Sequence, residues 1–142
     1  MRAPLQMTVF AREGIGVSKI AKELRKSGDF PGCYVILVDR RPIYVGISRG
    51  VLNRLRQHCL GKTHFDASLA YRMASAAVGH KLSREDAMQD PAVQAAFNNA
   101  QQKLRDAQVA FIEIQNDLEI YLFEAFCAMA LDTSKWNIFR TH

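Results

Sequence analysis

The chain has little with which to build a disulfide or zinc framework. Its 142 residues include three cysteines, an odd number, and Cys33, Cys59 and Cys127 lie far apart with no CxxC pair. His64 and His80 stand at no ligand spacing to any of them, so a zinc site is not expected. Cys33 and Cys127 fall in apolar segments and read as small core residues. No apolar run reaches the roughly 20 residues that cross a bilayer. Met1–Phe10 shows no basic stretch followed by a sustained apolar one, so the expectation is no signal peptide and a reduced, cytoplasmic protein without a membrane partner. Acidic residues are missing altogether between Arg40 and His64, where Arg40, Arg41, Arg49, Arg54, Arg56 and Lys62 all fall.

Almost half of the residues, 49%, are apolar, which excludes a disordered chain, and the length suits one domain with its own core. A formal charge of +5 and a pI near 9.3 suit a polyanionic partner. The placement of that charge says more than its size, because one basic stretch supplies groups for phosphate contacts.

That stretch overlaps the most informative part of the sequence, PGCYVILVDRRPIYVGISRGVLNRLRQH from Pro31 to His58. Residues 33–38 are almost wholly apolar and β-branched, which reads as a strand buried on both faces. Asp39-Arg40-Arg41-Pro42 reads as a polar turn, and residues 43–46 resume strand character. In such a hairpin Tyr34 and Tyr44 face one side of the sheet. Gly46 is expected to end the second strand where a side chain would crowd a neighbouring backbone. Residues 51–60 read as a helix with Leu52 and Leu55 turned inward. Arg54 and His58, four apart, share one of its faces.

These residues resemble the core of the GIY-YIG endonuclease superfamily. Gly32-Cys33-Tyr34 stands for the first triplet and Tyr44-Val45-Gly46 for the second, with Cys33 and Val45 in place of the usual isoleucines at buried middle positions. Arg54 and His58 match the family's helix motif. Leu122-Phe123-Glu124, on a helix expected over residues 117–131, and Trp136-Asn137 match the later glutamate and asparagine. The resemblance covers about half of the chain. It implies a metal-dependent endonuclease acting on DNA, with Glu124 holding one Mg²⁺ or Mn²⁺ and Arg54 clamping the phosphate. Tyr34 is then the general base, with Tyr44 and His58 positioning the water or sharing the proton. On acidity His58 can itself be the base, so that choice stays open. Gly32, Gly46 and Asn137 support the site, and Arg40, Arg41, Arg49, Arg56 and Lys62 contact the nucleic acid.

Plainer readings exist for each residue. Tyrosines in a hairpin often form a cross-strand packing pair, and Arg54 with His58 would ordinarily be a solvated helix face. Glu124 is more unusual, since its neighbours Tyr121, Leu122, Phe123, Ala125, Phe126 and Cys127 are apolar and a buried charge is costly unless paired or coordinated. Glu119, in more polar surroundings, is its rival and is expected to face solvent. Two other function classes fit the sequence: a non-catalytic nucleic-acid-binding module that retains this fold, and an interaction domain binding a protein partner. A homodimer would account for double-strand cutting.

Elsewhere, residues 1–30 read as an N-terminal helical extension with a short helix over 19–26 capped by Ser18. Residues 63–107 read as a helical insertion, with helices near 67–78 and 91–105 and a Ser83–Asp86 capping pair between them. The insertion either packs around the core or recognises substrate. Residues 109–115 supply a third strand, and Asp117 caps the last helix. The expected fold is α+β, one domain over 1–142, with a three-stranded, mostly antiparallel sheet flanked by helices.

Overall fold

A computed structural model describes residues 3–139. Strands β1 (Leu5–Gln6), β2 (Gly32–Val38), β3 (Arg41–Ser48) and β4 (Gln108–Glu113) form one antiparallel sheet in the order β1-β4-β2-β3. Helices α1 (Val17–Glu23), α2 (Val51–Leu60), α3 (Ser68–Val78), α4 (Arg84–Gln89), α5 (Pro91–Arg105) and α6 (Asp117–Ala130) complete it, with one short 3-10 turn at Met7–Val9. No helix among the described residues is long and apolar enough to cross a membrane.

The period-2 alternation of strands divides the molecule in two. Tyr34, Ile36, Tyr44 and Val109 point into the main core beneath the larger group of helices, with Ile20, Leu52, Leu55, Leu69, Phe97 and Leu104. Cys33 and Val45 point the other way, where Val35, Ile47, Phe123, Cys127 and Ala128 close a smaller cluster under α6. The central strand β2 is thus apolar on both faces, as its composition requires.

Several expectations are corrected. The sheet has four strands, because Leu5 and Gln6 pair with Val109 and Gln108; two residues are too few to show a period. The hairpin turn is confined to Asp39 and Arg40, both at positive φ (49° and 64°), the geometry that two-residue hairpins favour. Arg41 and Pro42 already belong to β3, and a bulge between Ile36 and Leu37 accompanies the proline on this edge strand. Helix α1 starts at Val17 after Gly16, without a side-chain cap, so Ser18 lies inside it. Asn116, not Asp117, caps α6, its Oδ1 accepting from the N–H groups of Leu118 and Glu119. The insertion helices fall where expected, and Ser83 both accepts from the Asp86 N–H and donates to its carboxylate.

One polar residue unmarked by the sequence fixes the helix that carries Arg54 and His58. Gly50 precedes α2 and has no side chain to offer, and Asp29 reaches across in its place. Its Oδ1 accepts from Leu52 N–H at 2.8 Å and its Oδ2 from Asn53 N–H at 3.0 Å. A Cβ on Gly50 would press against that carboxylate. We expect Asp29→Ala to cost about 1–2 kcal/mol of stability in urea unfolding, in the range of lost N-caps, with Asp29→Asn retaining most of it.

Candidate active site

Tyr34 and Gly46 are register partners on β2 and β3, and this pairing places the site. A Cβ at Gly46 would fall inside the Tyr34 ring, whereas one at Gly32 would strike the Ile112 carbonyl. The two glycines therefore have different duties. Gly46 makes room for a side chain rather than a backbone, and it lies within β3, which continues to Ser48. Gly32 lets β4 approach β2.

Seated over Gly46, the Tyr34 hydroxyl meets His58 Nε2 at 2.7 Å. Tyr44 completes the group, its ring centroid 6.2 Å from Tyr34 and 5.9 Å from His58. Tyr34 is 1% exposed, Tyr44 9% and His58 not at all. Burial governs their acidity. It pushes the Tyr34 phenol well above its usual range, helped by the neighbouring Tyr44, while Arg54 pulls the other way. It holds His58 down at about 3, with the positive charges of Arg54 and Arg72 adding to the effect. Both partners are neutral near pH 7. Which of the two donates in this contact is set by the imidazole tautomer, and the ring's other nitrogen is Nδ1. That nitrogen is buried and has no partner, a cost that native cores seldom carry without a reason.

Arg54 is half-buried and braced. Its Nη1 donates to the Asp66 carbonyl at 2.9 Å and to Gln57 Oε1 at 3.1 Å, and its Nη2 to Ser68 Oγ at 2.8 Å. Asp66 and Ser68 belong to the start of the 63–107 segment, so this segment supports the arginine as well as packing on the core. Arg72, one turn beyond Ser68 on α3, donates to the Trp136 carbonyl at 2.7 Å. Its charge favours the ionised form of Tyr44. Neither Ser68 nor Arg72 is evident in the sequence, because the contacts that give them a role span 14 and 64 positions.

Glu124 is half-buried on α6, with its pKa raised by burial. It takes part in no hydrogen bond or ion pair among the described residues. Its charge acts on Tyr44, and on Cys33, whose thiol is pushed up to about 12, chiefly by burial. Helix α6 packs on the face of the sheet opposite the Tyr34 and Tyr44 rings, and Glu124 acts on Tyr44 through its charge. Glu119 faces solvent as expected. No three His, Cys, Asp or Glu side chains converge on a ligand set among the described residues. Asn137 reads Val45 as a neighbouring strand would, its Oδ1 accepting from the N–H at 2.9 Å and its Nδ2 donating to the carbonyl at 2.7 Å. It pins the C-terminal turn to the edge strand between Tyr44 and Gly46.

The basic stretch does not frame this site as a unit. Arg56 turns away and donates to the Ile15 carbonyl. With Lys62 it lines a different, polar cleft of about 690 Å³ between the end of α2 and α5. Arg40 and Arg41 are exposed at the hairpin tip, three residues or about 10 Å of strand beyond Tyr44. Arg49 is exposed and pairs with Asp117 at 3.6 Å. Contiguity in sequence joined groups that the turn of a helix and the length of a strand separate.

No family model, no curated protein and no solved structure matches this chain. The arrangement therefore rests on its own geometry. We expect Gly46→Ala to cost about 1–3 kcal/mol through overpacking against Tyr34. Gly28→Ala, where a Cβ meets nothing within 4 Å, should change stability by less than about 0.5 kcal/mol in the same urea titration.

Proposed function

We propose that this chain is a metal-dependent endonuclease of the GIY-YIG kind that hydrolyses phosphodiester bonds in DNA. The observation that carries this reading is convergence: Tyr34, Tyr44, Arg54 and His58, from two strands and a helix, surround one point. Their spacing along the chain gives no packing reason for a phenol, an imidazole and a guanidinium to share a core position. Such a combination suits a reaction that takes a proton from water and gathers negative charge on phosphate oxygens.

Glu124 supplies the oxygen donor. A lone carboxylate at an apolar margin, without a cation of its own, fits Mg²⁺ or Mn²⁺, which keep most of their waters, and does not fit zinc. When bound there, such an ion would polarise the phosphoryl oxygen and offset charge on the leaving oxygen.

The remaining roles belong to the chain. Arg54 presents a planar fork that two phosphate oxygens match, taking the places of Gln57 Oε1 and Ser68 Oγ. Tyr34 accepts the proton of the attacking water as it passes its own to His58 Nε2. Proton and charge balance: water becomes the nucleophile, Tyr34 stays neutral, and His58 becomes imidazolium. The positive charges of Arg54 and Arg72 oppose that last state in the free protein, and a bound phosphodiester would cancel much of this opposition. Tyr44, packed beside Tyr34 and His58 and subject to the Glu124 charge, orients the water. The question of Tyr34 or His58 as the base resolves, in this reading, into a relay in which both act.

The depth of the three rings favours a second reading, a non-catalytic nucleic-acid-binding module in which they serve as core. Cleavage of supercoiled plasmid and of single-stranded DNA with Mg²⁺, Mn²⁺ or EDTA separates the two. We expect metal-dependent nicking by the wild type. Glu124→Gln should abolish it while leaving DNA retention on a gel largely intact. Arg54→Lys should lose about 10²-fold or more in rate, since a point charge does not replace the fork. Full activity in Glu124→Gln would remove the metal assignment. Retention of DNA without cleavage under every condition would establish the binding module instead.

A further inference from the structure

Helix α6 is apolar nearly all round, which ordinarily belongs to a helix buried on every side. Its inner face meets the sheet through Phe123, Cys127 and Ala128, and Ile120 is buried as well. Its outer face carries Leu118, Tyr121, Leu122, Phe126 and Met129, each between 63% and 76% exposed. With Ala125 these follow the i, i+3, i+4, i+7, i+8, i+11 spacing of one continuous stripe, and no charged residue interrupts it. Beside the helix lies an apolar groove of about 370 Å³, lined by Val35, Leu37, Ala110, Ile112, Phe126 and Leu131 among others.

The groove has a geometric origin. Four strands at about 4.8 Å spacing make a sheet some 15 Å across, and one helix covers about 10 Å of it. Helix α6 packs on β3 and β2, so the flank towards β4 and β1 stays bare. Among the described residues the molecule thus offers, side by side, a helix without a cover and an uncovered strip of sheet about 5 Å wide.

We propose that this face is the interface of a two-fold dimer of this chain, in which the outer faces of the two α6 helices pack together and side chains of each copy reach into the groove of the other. A two-fold axis requires a self-complementary patch, and an apolar helix face adjoining an apolar groove is one. The uncharged stripe offers nothing to select an oppositely charged partner. Five large side chains about two-thirds exposed, with the groove walls, present on the order of 800 Å² per copy, what each side of a standard stable interface buries and more than most monomers expose in one patch. Glu124 lies on the inner side of α6, so the interface leaves it free. The inference rests on the apolar surface alone and stands whether or not the chain cleaves DNA.

The test is molar mass in solution by sedimentation equilibrium at about 50 μM, a concentration that populates an interface of this size. The wild type should weigh twice the 16.0 kDa of one chain. Leu122→Glu combined with Met129→Glu changes two solvent-facing positions and should weaken association by at least about 100-fold, since two charges would be buried without partners, with the circular dichroism spectrum unchanged. Should that variant fail to fold, amide hydrogen exchange of the wild type decides. Residues 108–131 should gain protection as concentration rises through the transition. A wild-type monomer overturns the proposal and leaves the face to a different protein. So does a dimer that survives both substitutions, or concentration-dependent protection confined to other segments.

Discussion

One hydrogen bond, between the Tyr34 hydroxyl and His58 Nε2 at 2.7 Å, joins the central strand to helix α2 and sets the conditions for everything around it. It forms because Gly46, across the hairpin, has no side chain to occupy the space the Tyr34 ring fills. It is dry because Leu52 and Leu55 bury the same side of α2. Dryness, in turn, keeps both partners uncharged: nearby Arg54 and Arg72 add to its effect on His58, and it outweighs the pull of Arg54 on Tyr34. A neutral imidazole held against a phenol is a proton acceptor awaiting a reason to accept, and under the proposed function the charge of a phosphodiester would be that reason.

The supports of this contact come from distant parts of the chain. Asp29 holds the first turn of α2, Asp66 and Ser68 hold Arg54, and Asn137 holds the backbone of Val45 between Tyr44 and Gly46. Each is a polar side chain or carbonyl satisfying buried or half-buried donors, and none is close in sequence to the group it serves. The segment 63–107 therefore does more than fill space: its first turn sets where the guanidinium points, and α3 adds a second positive charge through Arg72. Directional groups placed by neighbouring elements are what hold reactive side chains in register.

What was legible in the sequence follows from the range of the physics involved. Periodicity is local, so β2, α2, α5 and the inward positions of Leu52 and Leu55 could be read directly, and the tyrosines and the Arg54–His58 pair stood out by residue type. Strand β1 could not be read, because two residues have no period and their pairing with β4 spans a hundred positions. The cap Asn116 was missed because Asp117 lay beside it, and Asp29 because it serves N–H groups 23 and 24 positions away; cap geometry is decided by backbone direction rather than by residue type. The basic stretch misled for the opposite reason. Arg54 and Arg56 are two apart, which on a helix sends them to different faces, so proximity in sequence did not become proximity in space.

The measurement that bears most directly on this account is the titration of the His58 ring, followed by nitrogen-detected NMR of the wild type from about pH 8 downwards through the ordinary imidazole range. Its depressed folded pKa means that His58 favours the folded state above the ordinary value of 6.5, and that this contribution is lost as pH falls towards about 3. The account predicts a neutral ring carrying its hydrogen on Nδ1, with no protonation near pH 6.5 while the protein stays folded. A ring that takes up a proton at its ordinary value in the folded protein would contradict it, because the Tyr34–His58 contact would then be wet and the chemistry built on it would lose its basis.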